Sequence, residues 1–297
     1  MSARRVPGPA PVGTARRRLF AAAARLPVHV VLLTVTALWL MPALGLIVSA
    51  FRPPRLVAVS GWWEALVPPW AFTLESFRQV LTAYNLGRSF LNSLLITVPS
   101  TVMPLLLGAY AAYAFAWMRF PGREALFALV VGSLVIPLQM TLIPILRVFT
   151  TVGMVGTFPA AWLAHTAYGL PFAIYLLRSF IGALPQDLLE SAHLDGAGPL
   201  VVFFSVILPL SAPAVASLAI FQFLWVWNDL LIALVFVGGT PSVAPLTVTV
   251  SNLVNSLGGN WQLLTAAALI SMLLPLAVFL GLQQHFVRGI LTGAVKG

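Results

Sequence analysis

From Leu230 to Val287 the chain runs 58 consecutive residues without one formal charge. A hydrocarbon core of about 30 Å is crossed by roughly 20 apolar helical residues. The stretch is therefore too long for one crossing and too apolar for the outside of a soluble domain. Gly238-Gly239-Thr240-Pro241 and Gly258-Gly259-Asn260 bracket a polar loop inside it, which divides it between two spans. The remaining sequence has the same character. Of 297 residues, 60% are hydrophobic and 8% charged, 16 basic and 7 acidic, against about 25% charged in an ordinary soluble domain. Mean hydropathy is +0.99. A water-soluble globule is excluded, and lipid is the solvent for most of the chain. With no cysteine, disulfide frameworks and thiolate metal or redox sites are excluded as well. The net charge of +9 sits at segment ends, where it sets membrane topology, and does not point to nucleic acid.

The gaps between charges lay out an all-α polytopic membrane protein of six spans. Residues 1–26, with six arginines and no acid in the first 25, read as a basic, disordered tail. Spans are expected at about 27–51, Ser89–Met118, Ala125–Leu146, Phe158–Leu177, Ser211–Val237 and Trp261–Gln283. The spanning domain thus covers 27–284, and a tail follows over 285–297. A cleaved signal peptide fits the first run poorly, because the run is long and ends at Phe51-Arg52-Pro53-Pro54 instead of a small-residue site. Six spans place both termini on one side. With that side cytoplasmic, 11 basic residues lie inside and five outside (Arg52, Arg55, Arg78, Arg88 and Arg147), as the positive-inside rule favours. The loop 181–208 is then cytoplasmic too.

Several chemistries lack their residues. Lys296 is the sole lysine and adjoins no Gly-rich loop, so the chain has no P-loop and cannot hydrolyse ATP by that route. His29, His165, His193 and His285 lie in four different segments and read as single polar side chains at span ends or in the bundle; no metal site is expected. Gly87-Arg88-Ser89 lacks the second Gly of a nucleophile turn, and no catalytic residue is expected.

One segment breaks the apolar pattern. Residues 181–208 hold three of the seven acids, Asp187, Glu190 and Asp195. Pro185 suits the first turn of a short helix, and Asp187 and Glu190 lie near that end, where the helix dipole favours acids. Gly196 permits the positive φ that ends a helix, and Pro199 suits the start of another. The product is a compact helix–Gly turn–helix. On these grounds alone, a merely amphipathic surface loop has the same features.

The spacing adds more. Glu190-Ser191-Ala192, three residues, Gly196, nine residues, Val206, one residue and Leu208-Pro209 resembles the EAA loop of bacterial ABC-importer permeases, EAA-x3-G-x9-I-x-LP. Ser191 replaces Ala and Val206 replaces Ile. Asp195-Gly196-Ala197 matches the DGA form common in the carbohydrate group. The resemblance extends from about residue 27 to Gly297. Phe90-Leu91-Asn92-Ser93-Leu94 resembles the family's opening of span two, and Phe120-Pro121-Gly122-Arg123 its next turn. Trp227-Asn228-Asp229 is similar to the WND element of sugar permeases, with Leu230 in place of the frequent Phe. Gln284 to Gly289, with Gly293-Ala294-Val295-Lys296-Gly297, resembles the C-terminus of the maltose-type second permease subunit. Ser60-Gly61-Trp62-Trp63 is similar to a run in α-glucoside permeases.

The resemblance implies the ABC type I importer permease fold with both termini cytoplasmic, in the plasma (inner) membrane of a bacterium or archaeon. It implies a sugar permease that pairs with a second permease as a heterodimer, with an ATPase dimer and with an extracytoplasmic sugar-binding protein. ATP and Mg would be held by the ATPase, with no cofactor in this chain. Asp187, Glu190, Ser191, Ala192, Asp195, Gly196, Ala197, Leu208 and Pro209 would form the coupling loop, and Gly293–Gly297 would reach the ATPase interface. A polyol or glycerol phosphate is an alternative substrate. An intramembrane enzyme and a non-transporting scaffold are alternatives of another class.

A carboxylate inside a span costs about 2.5–3.5 kcal/mol on insertion scales, so Asp229 is expected to face a cavity or a partner. Gln222 and Asp229, seven residues apart, are expected on one helical face. Gln222, Trp225, Asn228 and Asp229 are the candidate pathway lining. Interhelical hydrogen bonding is the alternative role for the polar members. Trp225 and Trp227 are candidates to stack on a sugar ring or to sit in an interfacial belt.

Overall fold

A computed structural model describes residues 13–253 and 259–294; for residues 13–25, Leu189, His193 and residues 284–294 it describes the backbone alone. The described residues are helical and contain no strand. Helix α1 (Gly13–Ala50) is followed by α2 (Glu75–Thr82), α3 (Leu86–Trp117), α4 (Arg123–Ser133), α5 (Leu138–Thr151), α6 (Phe158–Ile181) and α7 (Gln186–Leu194). Then come α8 (Pro199–Leu210), α9 (Ala212–Trp227), α10 (Leu231–Phe236), α11 (Leu246–Ser251) and α12 (Trp261–Ala294). Among the described residues, four helices are long and apolar enough to cross a membrane, or up to six if each of two bent pairs is one span.

The centre of the bundle is the pairing of α3 with α6, the most extensive helix contact in the fold. Its interface carries Gly108, Ala109, Ala112 and Ala173. Small side chains let helix backbones approach closely where lipid provides no hydrophobic drive for association. Trp162 fastens the same pair by donating its indole N–H to Leu95 O at 2.8 Å. Helix α9 packs against both α3 and α6, and α12 packs against α9 and α1. Helix α1 stays largely exposed along Leu26–Ala50. The 52–74 connection is folded on itself by Arg52, which is 3% exposed. Its guanidinium donates to Ser60 O at 3.1 Å, to Gly61 O at 2.9 Å and to Ser60 Oγ.

Two expected spans, and the expected N-terminal tail, differ from what is observed. The third, expected as one helix over Ala125–Leu146, is two helices, α4 and α5, bent by 102°. Pro137 has no N–H to continue the ladder and disfavours helical backbone at Ile136. The fifth, expected to run to Val237, stops at Trp227, and α8 leads into it with a 78° bend at Ser211. The first helix begins at Gly13, inside the segment read as a disordered tail. Ala21–Ala24 and the neighbouring arginines are strong helix formers. Residues 1–12 lie outside the described residues.

Candidate functional site

Two polar constellations stand out from the apolar bundle. The first is the turn between α7 and α8. Asp195 N donates to Ser191 O at 3.1 Å, and Ala197 N reaches back to Ala192 O at 3.1 Å. Gly196, between them, has φ +76°. The long return bond around a left-handed residue is the Schellman closure of a helix. A Cβ at Gly196 would meet nothing within 4 Å, so glycine is required by its φ and not by crowding. Glu190 is held along α7 by Gln186, whose Nε2 donates to its Oε1 at 2.7 Å. Ser191 Oγ donates to Leu188 O at 3.1 Å.

This turn has an anchored side and an open side. Ala192, Ala197 and Leu208 pack on a core formed by Ala109, Ala112 and Tyr113 of α3, Ala173, Leu177 and Ile181 of α6, and Phe203 and Ile207 of α8. Leu194 is 89% exposed, and Leu188, Leu200, Val201 and Phe204 are exposed with it. Asp187, Glu190 and Asp195 lie on the exposed side as well. Helix α8 widens into a π-turn over Phe203–Ile207, just before Leu208-Pro209. The arrangement is an apolar and acidic knob seated on two spans.

Arg178 and Glu124 fix which other segments share that end of the bundle. Arg178 Nη2 lies 3.6 Å from Glu124 Oε2, its Nε donates to Phe115 O at 3.4 Å, and its guanidinium lies 4.0 Å over the Phe127 ring. Trp117 Nε1 donates to Ile181 O at 3.0 Å. The 119–124 turn and the start of the 182–198 loop are therefore neighbours.

The second constellation surrounds Trp227-Asn228-Asp229. Trp227 is buried, stacked on Phe223 with Phe90 at its edge, and donates its Nε1–H to Ser271 O at 3.1 Å. Asn228 Nδ2 folds back to donate to Leu224 O at 2.8 Å, while Asp229 Oδ2 accepts the Ala233 N–H at 3.0 Å. Short polar side chains compete here for backbone groups, ending one helix and starting the next. The common helical face expected for Gln222 and Asp229 does not form, because α9 ends between them. Gln222 is buried and donates to Ser100 O at 3.2 Å. Of the four expected pathway residues, Trp225 and Asn228 are the exposed ones.

Sequence reasoning missed two sets of partners. His165, fully buried on α6, lies with Nε2 3.7 Å from Asp229 Oδ2. Asn92 Nδ2 donates to Ser242 O at 3.3 Å and Ala244 O at 3.0 Å, and Ser93 Oγ accepts the Leu246 N–H at 2.8 Å. Polar residues at 89, 92, 93, 97 and 100 run along one face of α3, and that 3-to-4 spacing was the available signal. Gly293 and Ala294 lie in the backbone of α12, and Val295, Lys296 and Gly297 are outside the described residues.

Comparison with known proteins places this geometry. Residues 104–292 match the model of the binding-protein-dependent transport system inner membrane component family. The osmoprotective compounds uptake permease protein GgtD of Synechocystis sp. is 57% identical over 92% of this chain and 92% of its own. The alpha-glucoside transport system permease protein AglG of Rhizobium meliloti is 54% identical over 80% of this chain and 63% of its own. Among solved structures, a chain of a bacterial ABC transporter involved in the import of the acidic polysaccharide alginate superposes with a TM-score of 0.77 at 20% identity, covering 95% of this chain and 100% of that one. The alginate transporter shares the fold and the permeases share sequence, GgtD along nearly its whole length and AglG along 63% of its own. The chain is an inner-membrane protein and belongs to the binding-protein-dependent transport system inner membrane component family.

Proposed function

We propose that this chain is the permease subunit of an ATP-driven importer of sugars, with an uncharged glycoside as its cargo. The observation that carries the reading is the knob at Gly196, exposed on one side and packed on α3 and α6 on the other. A membrane bundle without a P-loop does not use ATP directly. A rigid protrusion seated in a groove on an ATPase subunit passes the motion of that subunit to the spans as rigid-body rocking. Asp187, Glu190, Ser191, Ala192, Asp195, Gly196, Ala197, Leu208 and Pro209 form this coupling element. Gly293–Gly297, by the resemblance to the maltose-type second permease, belong to the interface with the same ATPase pair.

The partners follow from the same reading: a second permease, an ATPase dimer that holds ATP and Mg, and an extracytoplasmic binding protein that delivers the sugar. The relative named for alpha-glucoside transport supports a glycoside. The basic residues support cytoplasmic placement of the 119–124 turn and of the knob. Affinity purification of the tagged chain from its native membrane tests the assembly. A second permease and a P-loop ATPase should co-purify, and the reconstituted complex should take up sugar only with binding protein and ATP. Purification without either subunit would refute the assignment.

A further inference from the structure

The resemblance to maltose-type importers puts the sugar largely on the other permease. The geometry points to a site on this one: we propose that Tyr168, Phe172, Phe221 and Trp225, with Thr141, form a wall that binds a pyranose ring of the cargo during passage. The proposal rests on the sugar-importer reading above and adds to it which side chains meet the cargo.

Two adjoining hollows of about 280 and 260 Å³ share Tyr168 and Trp225. Tyr168 and Phe172 are one turn apart near the middle of α6. Phe221, Gln222 and Trp225 lie on one face of α9. The two helices approach closely behind them, since a Cβ on Gly169 would fall 2.7 Å from the Gln222 amide. The Gln222 amide is tied to Ser100 O, so the back of the hollow is rigid. Phe172, Phe221 and Trp225 are 41%, 48% and 37% exposed. Large aromatic side chains thus present themselves on a concave surface at membrane depth.

Lipid is a poor occupant for this surface. The break between α4 and α5, at 134–137, lines one hollow. Non-helical backbone at membrane depth is tolerated only against protein or a water-filled cavity. A close helix of the partner permease is a poor occupant too, because such contacts favour the small residues seen between α3 and α6. A sugar fits better. Binding sites of this kind combine apolar and aromatic walls with a few placed polar groups, and the polar groups are present. Thr141 Oγ1 donates to Leu138 O at 2.7 Å and lies 2.7 Å from Tyr168 Oη. With the threonine proton committed, the Tyr168 O–H donates to Thr141, and the phenolic lone pairs remain to accept a sugar hydroxyl. Trp225 is steadied by the edge of His165, with ring centroids 5.2 Å apart at 86°. Its indole N–H has no hydrogen-bond partner among the described residues and is left to donate. No acid, base or histidine lines either hollow, which suits an uncharged ring over a uronate or a sugar phosphate.

The test uses the complete transporter in proteoliposomes with its binding protein, offered radiolabelled maltose, sucrose and trehalose in turn. Wild type should take up at least one of them. Trp225→Ala should lower its uptake about tenfold and Tyr168→Phe about threefold, in the range of aromatic hot-spot truncations, with Trp225→Phe restoring most of the loss. Subunit composition after size exclusion should match wild type for all variants. Wild-type uptake in both Trp225→Ala and Tyr168→Phe overturns the wall. Loss of the partner permease from Trp225→Ala also overturns it, by making the surface a subunit contact. Failure of the wild type with every sugar overturns the sugar-importer reading itself, and the wall with it.

Discussion

Asp229 Oδ2 stands 3.7 Å from His165 Nε2 and 3.0 Å from the Ala233 amide nitrogen, so one carboxylate meets α6 and opens α10. Its contact with the amide is that of a helix cap, typically worth ~1 kcal/mol. Asp229→Ala should therefore lower the thermal midpoint of the detergent-purified complex, whereas Asp229→Asn keeps an accepting oxygen and should stay near wild type. Equal loss in both variants would show that the charge beside His165, and not the cap, is what the position requires.

Gly196 allows a graded test of the knob. Its φ of +76° costs an ordinary L-residue ~1–2 kcal/mol, while Asn tolerates that region. Transport should fall in the order glycine, Gly196→Asn, Gly196→Val, with expression and pairing to the second permease unchanged. Glu190→Lys reverses a charge on the exposed side of α7 and should release the ATPase on purification. Full uptake by both Gly196→Val and Glu190→Lys would leave the knob without a coupling role.

Asn92 holds two backbone carbonyls of the 242–244 segment at once. Removing it strands polar groups in a buried place, a loss of about 1–3 kcal/mol. Asn92→Ala should speed hydrogen exchange at 242–249 and lower thermal stability, with little change at the α7–α8 turn. Wild-type exchange there would mean that Ser93 and the surrounding packing suffice.

The absence of native cysteine makes sidedness simple to measure. Val59 is 79% exposed and Leu194 89% exposed. A membrane-impermeant thiol reagent should label Val59→Cys in spheroplasts and Leu194→Cys only after permeabilisation. The reverse pattern would invert the topology drawn from the arginines.

The helices that cross without interruption, α1, α3, α6 and α12, were legible because uninterrupted apolar length is a local property. So was the α7–α8 turn, whose residues act on one another across a few positions: Pro185, Gly196 and Pro199 each impose a backbone constraint where they stand. Breaks were harder. Pro137 and Pro99 are both prolines in apolar runs, yet Pro99 lies inside α3 and Pro137 marks a 102° bend. Neighbouring helices decide whether the freed carbonyls find partners, and no local pattern records those neighbours. The role of Gln222 was hidden for the same reason. Gln222 looked available until Ser100, 122 positions away, took its amide. Tyr168 and Thr141 drew no attention because each is ordinary alone, and only the 2.7 Å between their oxygens makes them a pair.

Helix α12 continues unbroken for 34 residues, which at ~1.5 Å per residue makes a rod of about 51 Å. A membrane core takes up about 30 Å of that. The eleven residues from 284 to 294 thus carry the backbone about 16 Å beyond the span at Gln283, a depth comparable to half a small protein's width. The helix acts there as a spacer of set length. Removing one turn would draw residue 294 back by about 5.4 Å with every side chain beyond the cut intact, so reach and chemistry at that end can be varied separately.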